Sequence, residues 1–154
     1  MSLSIKDILQ QKPIGTTLEV KGWVRTFRSN RFIALSDGST IKTLQLVVDF
    51  ENLEEGLLKK IATGAAIRAK GDLLSSQGKG QDVEIHVTDL EVLGESNPEE
   101  YPLQPKKHSM EFLRDIAHLR MRTNTFGAVM RIRHHLAYAV HDYFHKKQFF
   151  YLHT

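Results

Sequence analysis

Cysteine is absent from this chain of 154 residues, which excludes both disulfides and thiolate metal sites. That suits a reducing compartment without requiring one. Only four prolines occur, and three of them fall at Pro98, Pro102 and Pro105, so most of the chain is open to regular structure. No apolar run approaches the roughly 20 residues of a membrane span, and the N-terminus lacks the apolar core of a secretory signal. No Ser-His-Asp or Cys-His arrangement can be read. The "GKG" at Gly78–Gly80 has neither the spacing nor the following hydroxyl residue of a phosphate loop; it reads instead as a mobile loop whose Lys79 is a candidate contact for a ligand's backbone. Internal repeats and low-complexity segments are also missing. One further absence is local. Between Glu19 and Asp37 there is no acidic residue, while Lys21, Arg25, Arg28 and Arg31 all fall there.

Overall composition is that of a globular protein, 41% hydrophobic and 25% charged, with a formal net charge of +3. The length suits one domain, or a small domain and part of another. Residues 1–95 hold 12 basic against 13 acidic side chains, and residues 96–154 hold 9 against 5. The first part is therefore basic only in the patch Lys21–Arg31, and a local patch is what steers a polyanion.

The periodicity sorts the chain into elements. "SIKDILQ" predicts a short helix capped by Ser4, with Ile5, Ile8 and Leu9 on one side. A period of two then sets in: Leu18, Val20, Gly22 and Val24 alternate with Glu19, Lys21, Trp23 and Arg25. A second strand runs over Arg31–Ser36 and ends at the turn signal "SDGS", and "KTLQLVVDF" is a third. "NLEEGLLKKIATG" predicts a short helix with Asn52 as its cap, Glu54 and Glu55 in its first turn and Gly64 at its end. "AAIRAKGDLL" and "QDVEIHVTDLEVL" supply two more strands, joined by "SSQGKGQ". The order is strand, strand, strand, helix, strand, strand. That is the order of an OB-fold, a five-stranded Greek-key barrel that binds oligonucleotides on the face of strands 2 and 3 and with the 1–2 and 4–5 loops.

Alternation then separates interior from exterior. Ile33 and Leu35, then Leu44, Leu46 and Val48, then Val83, Ile85 and Val87 form the larger apolar set and are assigned to the barrel interior. Phe32, Gln45 and Glu84 fall on the outer face, with Arg25 and Phe27 pointing outward from the first strand. Arg28 stands where that strand enters its loop. Trp23 also faces outward by alternation, with packing under the N-terminal helix as an alternative. An outward Phe offers a base a stacking surface, Gln offers a donor and an acceptor to a base edge, and Arg takes phosphate bidentately. The other reading is that Phe27 and Phe32 cover an open barrel end and that the charges are a solvated surface.

Beyond the barrel, "GESNPEEYPLQPKKHS" reads as an irregular linker. "MEFLRDIAHLR" predicts a helix, and Asn124 or Thr125 would cap a longer one over Phe126–Lys147. Val129, Ile132, Leu136, Val140 and Tyr143 give that helix an apolar stripe. "FFYLHT" looks like the start of a strand. One amphipathic helix and one strand cannot form a core, so they are expected to belong to a longer chain or to dock on a partner. His134, His141 and His145 fall near one helix face, but no carboxylate or cysteine completes a ligand set, so no metal site is assigned.

"VKGWVRTFRSNRFIALSDGS", "LQLVV", "VEIHVTDLEVLG", "YPLQPKKHSMEFLRDIAHLRMRTNTFGAVMRIR" and "FFYLHT" together resemble the asparaginyl-tRNA synthetases, from about Ile5 to Thr154. The first motif is shared with the aspartyl and lysyl enzymes; Tyr101–Arg133 is the segment that points to the asparaginyl member. The resemblance implies an OB-fold anticodon-binding domain at 1–94, a hinge at 95–124 and the helical start of a class II synthetase catalytic domain at 125–154. It implies that Phe32 stacks on the central anticodon uridine and that Gln45 reads its edge. Glu84 is then a carboxylate near the anticodon bases, Arg28 a basic contact, and Arg25 a member of the same motif. The long helix and "FFYLHT" are similar to the motif that builds the family's homodimer. For the full-length enzyme the resemblance implies a cytoplasmic asparagine–tRNA ligase that uses ATP and Mg2+. The second and third catalytic motifs are absent here, so no catalytic residue is assigned, and this chain is expected to bind tRNA without aminoacylating it. The alternatives are an aspartyl-tRNA synthetase fragment and a general single-stranded nucleic-acid module.

Overall fold

In the computed structural model, which describes residues 3–49, 55–78 and 80–153, the chain forms two compact units, Met1–Lys107 and His108–Thr154. The first opens with α1 (Ile5–Gln11), where Ser4 and Asp7 form a reciprocal capping box. Its hydrogen bonds from Ser4 hold the Asp7 carboxyl below the ordinary aspartate range. Ile5 and Ile8 are fully buried in the core, so the helix closes one part of the barrel with two aliphatic side chains. The Ile5 amide also donates to Asp37 Oδ2 at 2.8 Å, tying the helix start to the chain that leaves the second strand.

Five strands follow: β1 (Thr17–Arg28), β2 (Phe32–Ser36), β3 (Leu44–Val47), β4 (Ala66–Ser75) and β5 (Val83–Gly94), with α2 (Glu55–Lys60) between β3 and β4. They close into a barrel in the order β1-β2-β3-β5-β4, every contact antiparallel except β3 with β5. β1 makes the closure possible by serving two neighbours. Its residues 17–23 pair with β4, and residues 23–28 pair with β2. Gly22 sits at the change of partner, where an added Cβ would lie 2.6 Å from the Ser36 carbonyl oxygen. Val20, Val24, Ile33, Leu35, Leu44, Leu46, Val48, Ile67, Leu73, Val83 and Ile85 fill the interior. The mainly β, five-stranded OB-fold expected from element order is what the chain forms.

Several local expectations change. Phe27 does not point outward. Arg25 is an extra residue between the pairs Val24–Leu35 and Thr26–Ala34, and this bulge reverses the alternation behind it. Phe27 therefore comes opposite the fully buried Ile33 and packs against the core. Gly64 does not end α2; it stands beyond Lys60 in a turn with φ +93°, its Cα facing the Tyr101 ring. Asn52 and Glu54 lie outside the described residues, as does Lys79.

The second unit contains α3 (Met110–Asp115), a 3-10 turn at Arg120–Arg122 and α4 (Asn124–Lys146). The first helix is shorter than expected, because the chain turns at Ile116 (φ −103°, ψ 44°) and its next backbone bonds shorten to Leu119 N–Ile116 O. Thr123, not Asn124 or Thr125, caps the long helix, its hydroxyl accepting from the Phe126 amide. Val129, Ile132, Leu136, Val140 and Tyr143 are all exposed on α4. "FFYLHT" forms no strand: among the described residues 149–153 nothing pairs with it, and Phe149, Phe150, Tyr151 and Leu152 are exposed. A strand needs a neighbour to take its backbone hydrogen bonds. No described helix is long and apolar enough to cross a membrane.

Candidate nucleic-acid interface

The outer face of β1, β2, β3 and β5 carries two adjacent cross-strand rows. One runs Arg28–Phe32–Val47–His86, and the other Thr26–Ala34–Gln45–Glu84. The bulge at Arg25 creates this match: without the extra residue, Arg28 would fall on the opposite face from Phe32. Phe32 and Gln45 are diagonal neighbours, and such Cα atoms lie roughly 7–8 Å apart. A base stacked on the ring thus has its edge within reach of the amide.

The hairpin leading to Phe32 is tight. Ser29 and Asn30 have φ +53° and +49°, and the Arg31 amide donates to the Arg28 carbonyl at 3.0 Å. Two successive left-handed residues closed by that bond make a two-residue turn whose twist matches the strands. Arg28 and Arg31 flank it, and the Arg31 guanidinium lies 5.7 Å from the Phe32 ring centroid. Among the described residues no carboxylate holds either of them. Arg68 stands in a different environment. It bonds Glu91 at 2.8 Å, Asp89 at 2.9 Å and Glu19 at 3.3 Å, and those partners hold its pKa above the usual arginine value. Lys21 is also near Glu19, at 3.5 Å. The cationic stretch therefore divides: Lys21 belongs to a charge-balanced region, and Arg28 with Arg31 faces the ring.

Glu84 is on the expected face but only 9% exposed. Its Oε2 accepts from Gln45 Nε2 (3.0 Å), Ser76 Oγ (2.7 Å) and Gln81 Nε2 (3.1 Å), and Oε1 lies 3.2 Å from His86 Nε2. Burial raises the carboxyl's pKa. Hydrogen bonds from Ser76, His86 and Gln81, with the charge of His86, outweigh burial and hold it below the ordinary glutamate range. An ionised carboxylate only accepts. It therefore fixes the Gln45 amide with its nitrogen toward Glu84 and its oxygen left for another donor.

The structure thus brings together Phe32, Gln45, Glu84 and Arg28. Arg25 is half-buried at the bulge beside them. Ser76 and Gln81 in the β4–β5 loop carry no signal in the sequence, and Arg31, counted there in the cationic patch, lies over the Phe32 ring. His86 shares the face of Glu84, and its spacing of two from Glu84 on one strand is the sequence signal for that placement. Trp23 is 41% exposed, in register with Ser36 and Ala66.

The tRNA anti-codon family model, described as an OB-fold nucleic acid binding domain, matches residues 18–93. Among curated proteins, the asparagine–tRNA ligase of Parabacteroides distasonis is 59% identical over 153 residues, covering 97% of this chain and 33% of that protein. That of Cytophaga hutchinsonii is 50% identical, covering 99% and 34%. The chain spans about a third of the length of these relatives. Among solved structures, the asparaginyl-tRNA synthetase of Pyrococcus horikoshii complexed with asparaginyl-adenylate aligns with a TM-score of 0.78 at 23% identity, over 96% of this chain and 35% of that one. The aspartyl tRNA synthetase of Entamoeba histolytica aligns with a TM-score of 0.77 at 21% identity, over 100% and 39%. At such identities the structural likeness carries the fold alone, and the two are equal in it. Sequence is what favours the asparagine enzymes.

Proposed function

Since this chain is homologous to asparagine–tRNA ligases along 97% of its length, with an OB-fold nucleic acid binding domain at residues 18–93, we propose that its barrel face reads the anticodon loop of a tRNA. One observation carries the reading most directly. Phe32 offers a stacking surface one diagonal step from Gln45, whose amide nitrogen is committed to Glu84 at 3.0 Å. The free amide oxygen suits a base edge that presents a donor, as uridine does at its N3–H. Arg28 and Arg31 flank the ring and suit the phosphates on either side of an unstacked base. Arg25, at the bulge, extends that cationic margin.

Within the whole enzyme the activity is attachment of asparagine to its tRNA in the cytoplasm, with ATP and Mg2+ supplying the activation chemistry. Among the described residues no three His, Asp or Glu side chains stand together to hold a cation. No residue of this chain is assigned to that chemistry; its part is binding and orienting the anticodon.

The test is the affinity of the 154-residue chain for two RNA stem-loops that differ only in the central loop base, uridine or cytidine. Cytidine replaces the N3–H with an acceptor that opposes the Gln45 oxygen, and an unmatched polar group costs about 1–3 kcal/mol. Uridine is expected to bind tighter by that amount. Equal affinity would favour a sequence-tolerant single-strand binder instead.

The exposed stripe of α4 and the apolar residues 149–152 support a homodimer of the whole enzyme through this region. Equilibrium sedimentation of the chain should show mass rising toward twice the monomer with concentration; a constant monomer mass at high concentration counts against it.

A further inference from the structure

A base held by Phe32 and Gln45 gives Gln81 no direct contact. Gln81 lies in the loop between β4 and β5, and its amide nitrogen donates to Ser76 Oγ at 3.0 Å and to Glu84 Oε2 at 3.1 Å. The amide nitrogen is thereby engaged inward. Ser76 Oγ donates to the same Glu84 oxygen at 2.7 Å and accepts from the Gly78 amide at 3.1 Å. The loop is closed at its base by the Ser76 amide on the Asp82 carbonyl, 2.9 Å. One carboxylate oxygen thus receives two donors from the loop and a third from Gln45 on β3.

Three donors converge on this one oxygen, and together they fix the rotation of the carboxylate about its last bond. Without the loop donors the carboxylate is free to rotate about its last bond toward His86 or water. The Gln45 amide then loses the partner that decides which of its ends faces outward. A reversed amide would present a donor where the uridine N3–H needs an acceptor.

We infer that Gln81, acting with Ser76, is a positioning residue for base discrimination: it holds the Glu84 carboxylate that orients the Gln45 amide. The inference rests on the proposed anticodon reading and adds to it a specificity device in a loop that does not itself touch the discriminated base.

The experiment uses the 154-residue chain with Gln81→Leu, and Ser76→Ala as a second variant should the first fail to fold. Dissociation constants are measured for the uridine and cytidine stem-loops. In Gln81→Leu the uridine loop should bind about tenfold more weakly while the cytidine loop changes by less than about twofold, so the ratio between them collapses. Ser76→Thr, which keeps the hydroxyl, should retain the ratio. A role confined to loop stability would weaken both RNAs in parallel, and that result overturns the inference. So does an unchanged ratio in a folded variant. If the unaltered chain itself shows no preference for uridine, the anticodon reading falls and this inference with it. If it does show that preference and the variants keep it, only this inference falls.

Discussion

Phe32→Ala should weaken binding of the uridine stem-loop by about 1–3 kcal/mol, the range found when a base loses its aromatic stacking partner. The ring is half-buried on the outer face, with Val47 and Arg28 as its cross-strand partners, so the barrel interior is untouched. The unfolding midpoint should therefore move little. Phe32→Tyr keeps the stacking surface and should keep most of the affinity. The loss should be similar for uridine and cytidine loops, because every base has a face to stack. That separates Phe32, which sets affinity, from Gln45 and Gln81, which set choice. Filter-binding or fluorescence titration would measure it, and an undiminished affinity in Phe32→Ala would show that bases do not stack there.

Gly71→Ala should be the most damaging small substitution for the barrel. An added Cβ would lie 2.0 Å from the His86 carbonyl oxygen and 2.7 Å from its carbon, both backbone atoms of β5 that cannot step aside. Here Thr88 is an extra residue on β5, between the pairs Lys70–Asp89 and Gly71–Val87. Relieving the clash means separating the two strands at the place where β5 turns from its parallel pairing with β3. Overpacking of this kind costs about 1–3 kcal/mol and more where backbone must shift. For a unit of this size each kcal/mol lowers the melting temperature by roughly 4–8 °C. Gly80→Ala is the matching control: φ is +97° but nothing lies within 4 Å, so only local strain of about 1–2 kcal/mol applies. Thermal unfolding of both variants tests the contrast. A Gly71→Ala protein as stable as the unaltered chain would mean that the strand crossing is not as close as described.

The barrel was legible because its signal is periodic. Val20, Val24, Ile33, Leu35, Leu44, Leu46, Val83 and Ile85 all sit where alternation puts them. It failed at Phe27, because a bulge adds one residue without any mark in the hydrophobic pattern, and each later side chain changes face. Residue type and face were enough to put Phe32, Gln45 and Glu84 on one side of the sheet. They could not find Ser76 and Gln81, whose part depends on where an irregular loop folds back. Nor could they show that Glu84 is covered, since an acidic residue at an outward strand position reads as solvated until its donors are seen. "FFYLHT" failed for another reason: strand propensity describes a side-chain preference, and pairing needs a partner.

Closure of the sheet also decides what kind of message this protein can receive. β1 pairs with both β2 and β4, so the sheet closes on itself, and β2 and β3, which carry Phe32 and Gln45, are paired on both sides. A peptide seeking to add itself as a strand at that face would find no row of unsatisfied amides to bind. Whatever the barrel recognises must be met by side chains standing off its surface, and must bring chemistry of its own to meet them. A splayed nucleobase, with a flat face for Phe32 and a polar rim for Gln45, is a visitor of that kind; an extended polypeptide is not.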